Sequence, residues 1–206
     1  MNSTRNTPPP TDRLAFDRAD RVGLTVTMWV IGSAAIAADV ANPLWQWARG
    51  AAQHVPFFSP VTVPELDRVG QKHGLAAYDL VLGHPSTGQR LLGLVPGVLT
   101  AAVVAAACVL ILRIMRPIGA GDPFAPGQVR RLRTLAFVLM IGPVVAMFAR
   151  LSCQGAIVGG LDLGGLDPGV SLDIPWFPLI VGLCLGLVAE GFKVGAQLRD
   201  DVEGLV

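Results

Sequence analysis

Four long runs of the chain carry no charged side chain, and they alternate with segments that hold the arginines and aspartates. The uncharged runs are 22–38, 91–112, 134–149 and 174–189. An α-helix rises about 1.5 Å per residue, so roughly 20 residues are needed to cross the hydrocarbon core of a membrane. The second run reaches this length alone. The other three reach it because neighbouring residues extend them, and because flanking arginines such as Arg133 and Arg150 can direct their charge toward the headgroups.

A soluble protein with four buried helices is the alternative interpretation. Buried helices of soluble folds usually keep polar positions along one face. Residues 94–112 show no polar face, and Thr100 and Cys108 are their most polar members. Apolar residues make up 52% of the chain and charged residues 15%, against about a quarter charged in an average soluble domain. The sequence therefore predicts an all-α membrane protein with four transmembrane helices.

The placement of arginine and lysine predicts how these helices are oriented. Basic residues are concentrated before the first run, between the second and third runs, and after the fourth. By the positive-inside rule, the N-terminus, the second connection and the C-terminus are cytoplasmic, and the protein is a multi-pass protein of the cell membrane. The predicted boundaries are a cytoplasmic tail (1–21), transmembrane helix (22–41), extracytoplasmic loop (42–90), transmembrane helix (91–112), cytoplasmic elbow (113–133), transmembrane helix (134–153), extracytoplasmic loop (154–173), transmembrane helix (174–192) and cytoplasmic tail (193–206).

The first apolar run has a second interpretation, as a cleaved secretory signal. A basic leader precedes it, and Ala35-Ile36-Ala37 is similar to a cleavage site. The apolar residues continue past that point to Ala41, which favours a retained helix. We expect this helix to end at Asn42-Pro43, because proline disfavours helical geometry in the residue before it.

Two short segments of the outer loops have features of strands. Val61-Thr62-Val63 lies between two prolines, and residues 170–174 alternate apolar and polar side chains. We expect the two outer loops to form a small extracytoplasmic β cap in which these segments pair.

No arrangement of residues in the sequence is typical of an enzyme, and we predict a non-enzymatic protein without catalytic, cofactor-binding or metal-binding residues. The three histidines, His54, His73 and His84, all lie in the first outer loop, but their separations match no zinc motif. Nucleophile elbows and phosphate-binding glycine loops are absent from the sequence.

Charged residues near the ends of the predicted helices are costly in hydrocarbon and need partners. Asp39 and Arg150 are both near the outer ends, and Glu190 and Arg113 are both near the inner ends. Two interhelical ion pairs, Asp39 with Arg150 and Glu190 with Arg113, would therefore be geometrically allowed. The alternative is that each side chain extends separately to headgroups and water.

The predicted cytoplasmic elbow has the most distinctive sequence. Gly121-Asp122-Pro123-Phe124 forms a turn or a helix start, in which Asp122 accepts backbone hydrogen bonds and Phe124 inserts at the interface. The arginines that follow would bind anionic headgroups or a cytoplasmic protein, and headgroups are a nearer partner than nucleic acid. The candidate contact residues of this face are Asp122, Phe124, Arg130, Arg131, Arg133 and Glu190.

These motifs resemble the family named domain of unknown function 2975, which consists of small bacterial four-helix membrane proteins. The resemblance rests on Gly-Asp-Pro-Phe followed by Val-Arg-Arg-Leu-Arg (129–133), and on the segment 187–201. Gln128 stands where asparagine is expected, and Asp200 where glutamate is usual. The resemblance implies a bacterial inner membrane and a small cytoplasmic helix-turn-helix regulator as partner. It implies no biochemical activity.

Three functions remain open at this point. The leading hypothesis is a membrane-bound sensing or regulatory partner of a cytoplasmic protein, working through the elbow and the C-terminal tail. A small transporter or channel component is the alternative, and an intramembrane enzyme is the third. The patterns Gly182-xxx-Gly186 and Gly191-xxx-Gly195 allow close helix packing, either within the bundle or in a homo-oligomer.

Overall fold

The structure is mostly helical. A computed structural model describes residues 18–60, 68, 75–118, 127–163, 169–170 and 172–203. Its elements are α1 (Arg18–Ile36), a π-helical turn (Ala37–Ala41), α2 (Asn42–Ala48), β1 (Gln53–Pro60), β2 (Leu75–Leu82), α3 (Thr87–Ile118), α4 (Gln128–Gly159) and α5 (Trp176–Glu203). Within the described residues, 4 helical stretches are long and apolar enough to cross a membrane: Ala19–Ala48, Thr87–Arg116, Gln128–Gly159 and Trp176–Gly195. Each of them overlaps one of the four predicted spans.

The long helices pack side by side in a row. Helix α3 packs against both α1 and α4, and α4 packs in turn against α5. In the described part of the chain, α1 and α5 share no interface of comparable extent. Large apolar side chains such as Trp29, Phe137 and Leu187 are more than half exposed on the outside of this row. Apolar surface of this extent indicates a membrane or a protein partner.

The first helix does not end at Asn42-Pro43, and this part of the sequence prediction was wrong. In a regular α-helix, Pro43 would lack the N–H that bonds to the carbonyl of Asp39, and its ring would clash with that carbonyl. The chain avoids the clash by a π-helical turn, in which the Asn42 N–H donates to the carbonyl of Ala37. The helix then continues as α2 to Ala48. Asp39 consequently lies within a helix.

Glycines permit the closest contacts between helices. A Cβ atom at Gly97 of α3 would overlap the carbonyl oxygen of Asp39 in the π-helical turn. In α5, a Cβ atom at Gly182 would lie 2.9 Å from the carbonyl oxygen of Ala136 in α4. Only a residue without a side chain allows backbones to approach this closely. Gly182 of the small-xxx-small pattern is therefore used for packing within the helix row.

Strands β1 and β2 form an antiparallel hairpin within the first loop. Phe57 lies opposite Tyr78, and their rings stack with centroids 5.3 Å apart. Val55 and Phe57 are buried, and they pack in one cluster with Ile157 and Val158 near the end of α4. This cluster holds the hairpin against the helix row. We call this end of the molecule the hairpin end, and the end formed by residues 113–118, 127–133 and 190–203 the arginine end.

The small β structure exists, but it is not built as the sequence predicted. Both strands come from the first loop, and the second loop joins them through one bridge, in which Phe58 and Gly169 exchange backbone hydrogen bonds of 2.8 and 2.6 Å. Of the predicted segments, 61–63 and Ser171 lie outside the described residues. Pro56 is tolerated in β1 because residues two apart direct their N–H to the same side, and the Phe58 N–H points away from β2.

Candidate functional site

Two side chains at the start of α4 fix the arginine end. Gln128 is only 2% exposed, and its Nε2 donates to the carbonyl oxygen of Ile114 in α3 at 2.9 Å. Arg131 donates from Nη1 to the carbonyl oxygen of Arg113 at 3.0 Å and to Oε1 of Gln128 at 3.4 Å. Arg131 thus directs its guanidinium toward α3 and joins α4 to it.

Glu190 is the centre of a charged cluster at the same end. Its Oε2 accepts a hydrogen bond from Nη2 of Arg133, and its Oε1 accepts one from Nζ of Lys193 at 3.1 Å. The three side chains remain exposed by 51% (Arg133), 52% (Glu190) and 44% (Lys193). The pair of Glu190 with Arg113, which the sequence allows, does not form among the described residues; Glu190 pairs with Arg133, since α5 packs against α4.

Of the other residues predicted for this face, one is exposed and two lie outside the described residues. Arg130 is exposed, and no described side chain pairs with it. Asp122 and Phe124 lie outside the described residues. The three arginines among residues 130–133 therefore do not form one patch, since Arg130 is exposed, Arg131 binds α3 and Arg133 binds α5.

A cavity of about 330 Å³ lies at the hairpin end, between the first helix, β1, α3 and α4. Its lining mixes apolar side chains with charged and amide ones, and we call it the polar cavity because it is the more polar of two neighbouring cavities. Its polar lining residues are Asp39, Gln46, Gln53, His54, Arg90, Arg150 and Gln154. Arg90 donates to the carbonyl of Ala51 at 3.1 Å, and His54 pairs with Asp79 at 2.7 Å. The Nε2 of Gln53 donates to the carbonyl of Gln89 at 3.3 Å, while its Oε1 is buried without a hydrogen-bond partner.

Asp39 and Arg150 both line this cavity. Among the described residues no ion pair joins them to each other or to another side chain, so the two charges border an open volume. Asp39 comes from the π-helical turn and Arg150 from α4. The interhelical pair expected from the sequence remains a prediction, and what the structure adds is the cavity that both residues share.

A second and larger cavity, of about 620 Å³, lies deeper in the helix row. It is mainly apolar, with walls from α1, α3, α4 and the segment before α5, and its polar members at the hairpin end are Arg150, Gln154 and Asp173. Arg150 and Gln154 line both cavities, which are therefore neighbours. Neither cavity was predicted from the sequence, because neither the π-helical turn nor the position of the hairpin was predicted.

The comparisons with known proteins agree with the motifs of the arginine end. No curated protein and no solved structure shows significant similarity to this chain. The family model described as "Protein of unknown function (DUF2975)" matches residues 46–205. This range contains both motifs on which the resemblance rested, and it confirms that resemblance. The chain therefore belongs to the DUF2975 family.

Proposed function

We propose that the helix row crosses a bacterial cell membrane with the arginine end in the cytoplasm, and that the protein is a non-enzymatic sensing or regulatory partner of a cytoplasmic protein. The observation that carries the second part is the charged cluster of Arg133, Glu190 and Lys193. Its members are about half exposed although they pair with one another. They are therefore held in place and still accessible to a partner.

The exposed apolar surface supports the membrane location. Side chains such as Trp29 (69% exposed) and Leu187 (69%) would be unfavourable in water over the whole length of four helices. The arginines at one end support the orientation by the positive-inside rule.

The mixed charge of the cluster favours a protein partner over plain headgroup binding. Anionic headgroups would attract Arg133 and Lys193, but the carboxylate of Glu190, which pairs with both, opposes that attraction. A protein surface can present both signs of charge in register. The partner that we propose is the small helix-turn-helix regulator implied by the family resemblance. The charged cluster would bind the surface of that regulator and would not bind DNA.

Helix α4 gives this proposal a physical link to the opposite end. It contributes Arg133 to the charged cluster and Arg150 to the walls of both cavities. A long helix can shift as a rigid body when a cavity beside it is filled. Occupancy at the hairpin end would in this way alter the surface that the partner binds.

Transport is the second candidate function, and the two adjoining cavities favour it. The larger cavity is lined toward the arginine end by Ala107, Ile111 and Leu139, which offer no polar path for a hydrophilic solute. We therefore place binding and sensing first.

A pull-down in mild detergent tests the proposal. The native protein is compared with Arg130→Glu/Lys193→Glu, which changes exposed charge without removing Arg131, whose guanidinium holds α3 to α4. Arg68→Glu, at an exposed position in the first loop, is the matched control. We expect the helix-turn-helix regulator with the native protein and the control, and its loss with the double variant. Equal recovery from all three, or no specific partner, would contradict the proposal and favour transport or a lipid-facing role.

A further inference from the structure

The two cavities at the hairpin end differ in polarity and share a wall, which is the arrangement that an amphiphile requires. We infer that together they form one binding site for a zwitterionic phospholipid-like molecule. Its acyl chain occupies the apolar cavity, its phosphate lies at Arg150, and its ammonium group lies beside the aspartates. The inference goes beyond the proposed regulatory partner, although entry from the bilayer rests on the proposed membrane location.

The shape of the larger cavity fits an acyl chain. Along α3 its lining runs from Thr100 to Ile111, which is about 16 Å at the rise of about 1.5 Å per residue. Both cavity volumes fall in the range of about 300–1,000 Å³ that is usual for small-molecule sites. Pro56 and Phe58 of β1 line it at the hairpin end, next to the polar residues. The site therefore offers a polar end for the head group and an apolar end for the acyl chain.

The open side of the helix row provides a route of entry. Helices α1 and α5 flank the central pair α3 and α4, and within the described ranges they do not close over it by an interface of their own. The cavity is lined by α1 on one side and by residues 173–175 and the first turn of α5 on the other. A lipid in the surrounding leaflet could thus insert one chain between them.

Arg150 is the group that selects a phosphate. Arg150 is exposed, lines both cavities and forms no ion pair with a described side chain. A planar guanidinium of this kind binds phosphate oxygens in a two-point geometry. Arg90 is the other arginine among the described residues that line the polar cavity, and its Nη2 donates to the carbonyl of Ala51.

Two aspartates favour a head group that also carries a positive charge. Asp39 lines the polar cavity and Asp173 the apolar one, and the structure gives neither an ion-pair partner among the described residues. His54, the remaining titratable group of the polar cavity, pairs with Asp79. An anionic head group would meet both carboxylates, whereas an ammonium group compensates one of them. The buried Oε1 of Gln53 lacks a donor, which an ammonium group could supply.

The test uses the purified full-length chain and lysophospholipids that share one acyl chain. One lysophospholipid has a phosphoethanolamine head group and the other a phosphoglycerol head group. The binding of each to the protein is measured by native mass spectrometry and by titration of the lipid into the protein. Phosphoethanolamine without a chain is the third probe. We expect the phosphoethanolamine amphiphile to bind at least about tenfold more tightly than the phosphoglycerol one, and the free head group to bind weakly.

Variants distinguish the parts of the site. Arg150→Gln should weaken both amphiphiles by about tenfold or more, because both carry a phosphate. Asp173→Asn should weaken only the ammonium-bearing one. Arg49→Gln changes an arginine that stacks on Trp45 and lines neither cavity, and it should leave binding unchanged.

A second pair of variants tests the apolar cavity independently of charge. Ala107→Leu reduces the volume of the cavity, whereas Ala102→Leu adds the same atoms at an exposed position of the same helix. Only Ala107→Leu should weaken binding. Thermal unfolding curves of both variants show that each is folded before binding is compared. Equal binding of both head groups, or binding that Arg150→Gln and Ala107→Leu leave unchanged, would overturn the inference. The pull-down tests the regulatory partner and the lipid-binding measurements test the cavity site. A failure of one proposal can therefore be distinguished from a failure of the other.

Discussion

The two ends of the helix row use the same kinds of side chain in opposite ways. At the arginine end, Glu190 pairs with Arg133 and Lys193, and Arg131 is bonded to carbonyl and amide oxygens. At the hairpin end, Arg150 and Asp39 border cavities and form no ion pair with a described side chain. The paired charges join neighbouring helices, whereas the charges that line the cavities are those that we infer to bind a head group.

The difference follows from how the helices approach each other. Helix α5 lies directly on α4, since Gly182 allows contact with the backbone at Ala136. At the hairpin end, Gly97 brings the π-helical turn close to α3, and β1 packs against α4. The first cavity lies between these elements.

The largest effect should come from breaking the close contact of the hairpin end. Gly97→Leu places side-chain atoms where the Asp39 carbonyl lies, so we expect a loss of up to about 3 kcal/mol in the free energy of unfolding. Gly23→Leu is the control, because no atom lies within 4 Å of a Cβ at that position. Denaturation in detergent measures both variants. Similar stability for the two would contradict the close approach.

A smaller effect should follow from breaking the arginine end at its buried amide. Gln128→Leu leaves the carbonyl of Ile114 without the side-chain donor and Arg131 without one acceptor. We expect a loss of about 1–2 kcal/mol in unfolding free energy. Gln46→Leu removes an exposed hydrogen bond to Asn42 and should change stability by less than about 0.5 kcal/mol. An unchanged free energy of unfolding for Gln128→Leu would show that this amide does not join α3 and α4.

The smallest effect should come from the half-exposed ion pairs. Glu190→Gln should lower the unfolding temperature slightly at low salt, and the difference should shrink at high salt because salt screens exposed charges. Arg150→Gln breaks no ion pair among the described residues and should show no such salt dependence. Unfolding curves at two salt concentrations make the comparison. Equal salt dependence in both variants would remove the distinction between the two ends.

The sequence predicts the helices well because charge-free runs have a simple physical cause. The run 91–112 lies wholly within α3, and 134–149 lies wholly within α4. The course of the chain past Pro43 could not be predicted, since the sequence does not show that a π-helical turn will absorb the clash. The hairpin was not predicted because proline, here Pro56, has no backbone N–H to donate and is uncommon inside strands.

The sites were less predictable than the fold. Arg133 and Glu190 were both singled out, but the sequence does not reveal how each helix is rotated about its axis, and so it did not predict that they pair. Gln128 gave no signal beyond its departure from the family pattern, yet it is the buried polar link of the arginine end. Cavities depend on packing between distant segments and have no local signature.

The orientation of the helix row is the most direct test of the central claim. Cysteine is introduced singly as His84→Cys at the hairpin end or Arg130→Cys at the arginine end, in a chain whose Cys108, Cys153 and Cys184 are alanine. Whole cells are treated with a maleimide that does not cross the inner membrane. We predict labelling of His84→Cys in intact cells, and of Arg130→Cys only after the membrane is permeabilised. Labelling of both in intact cells, or the reverse pattern, would contradict the account.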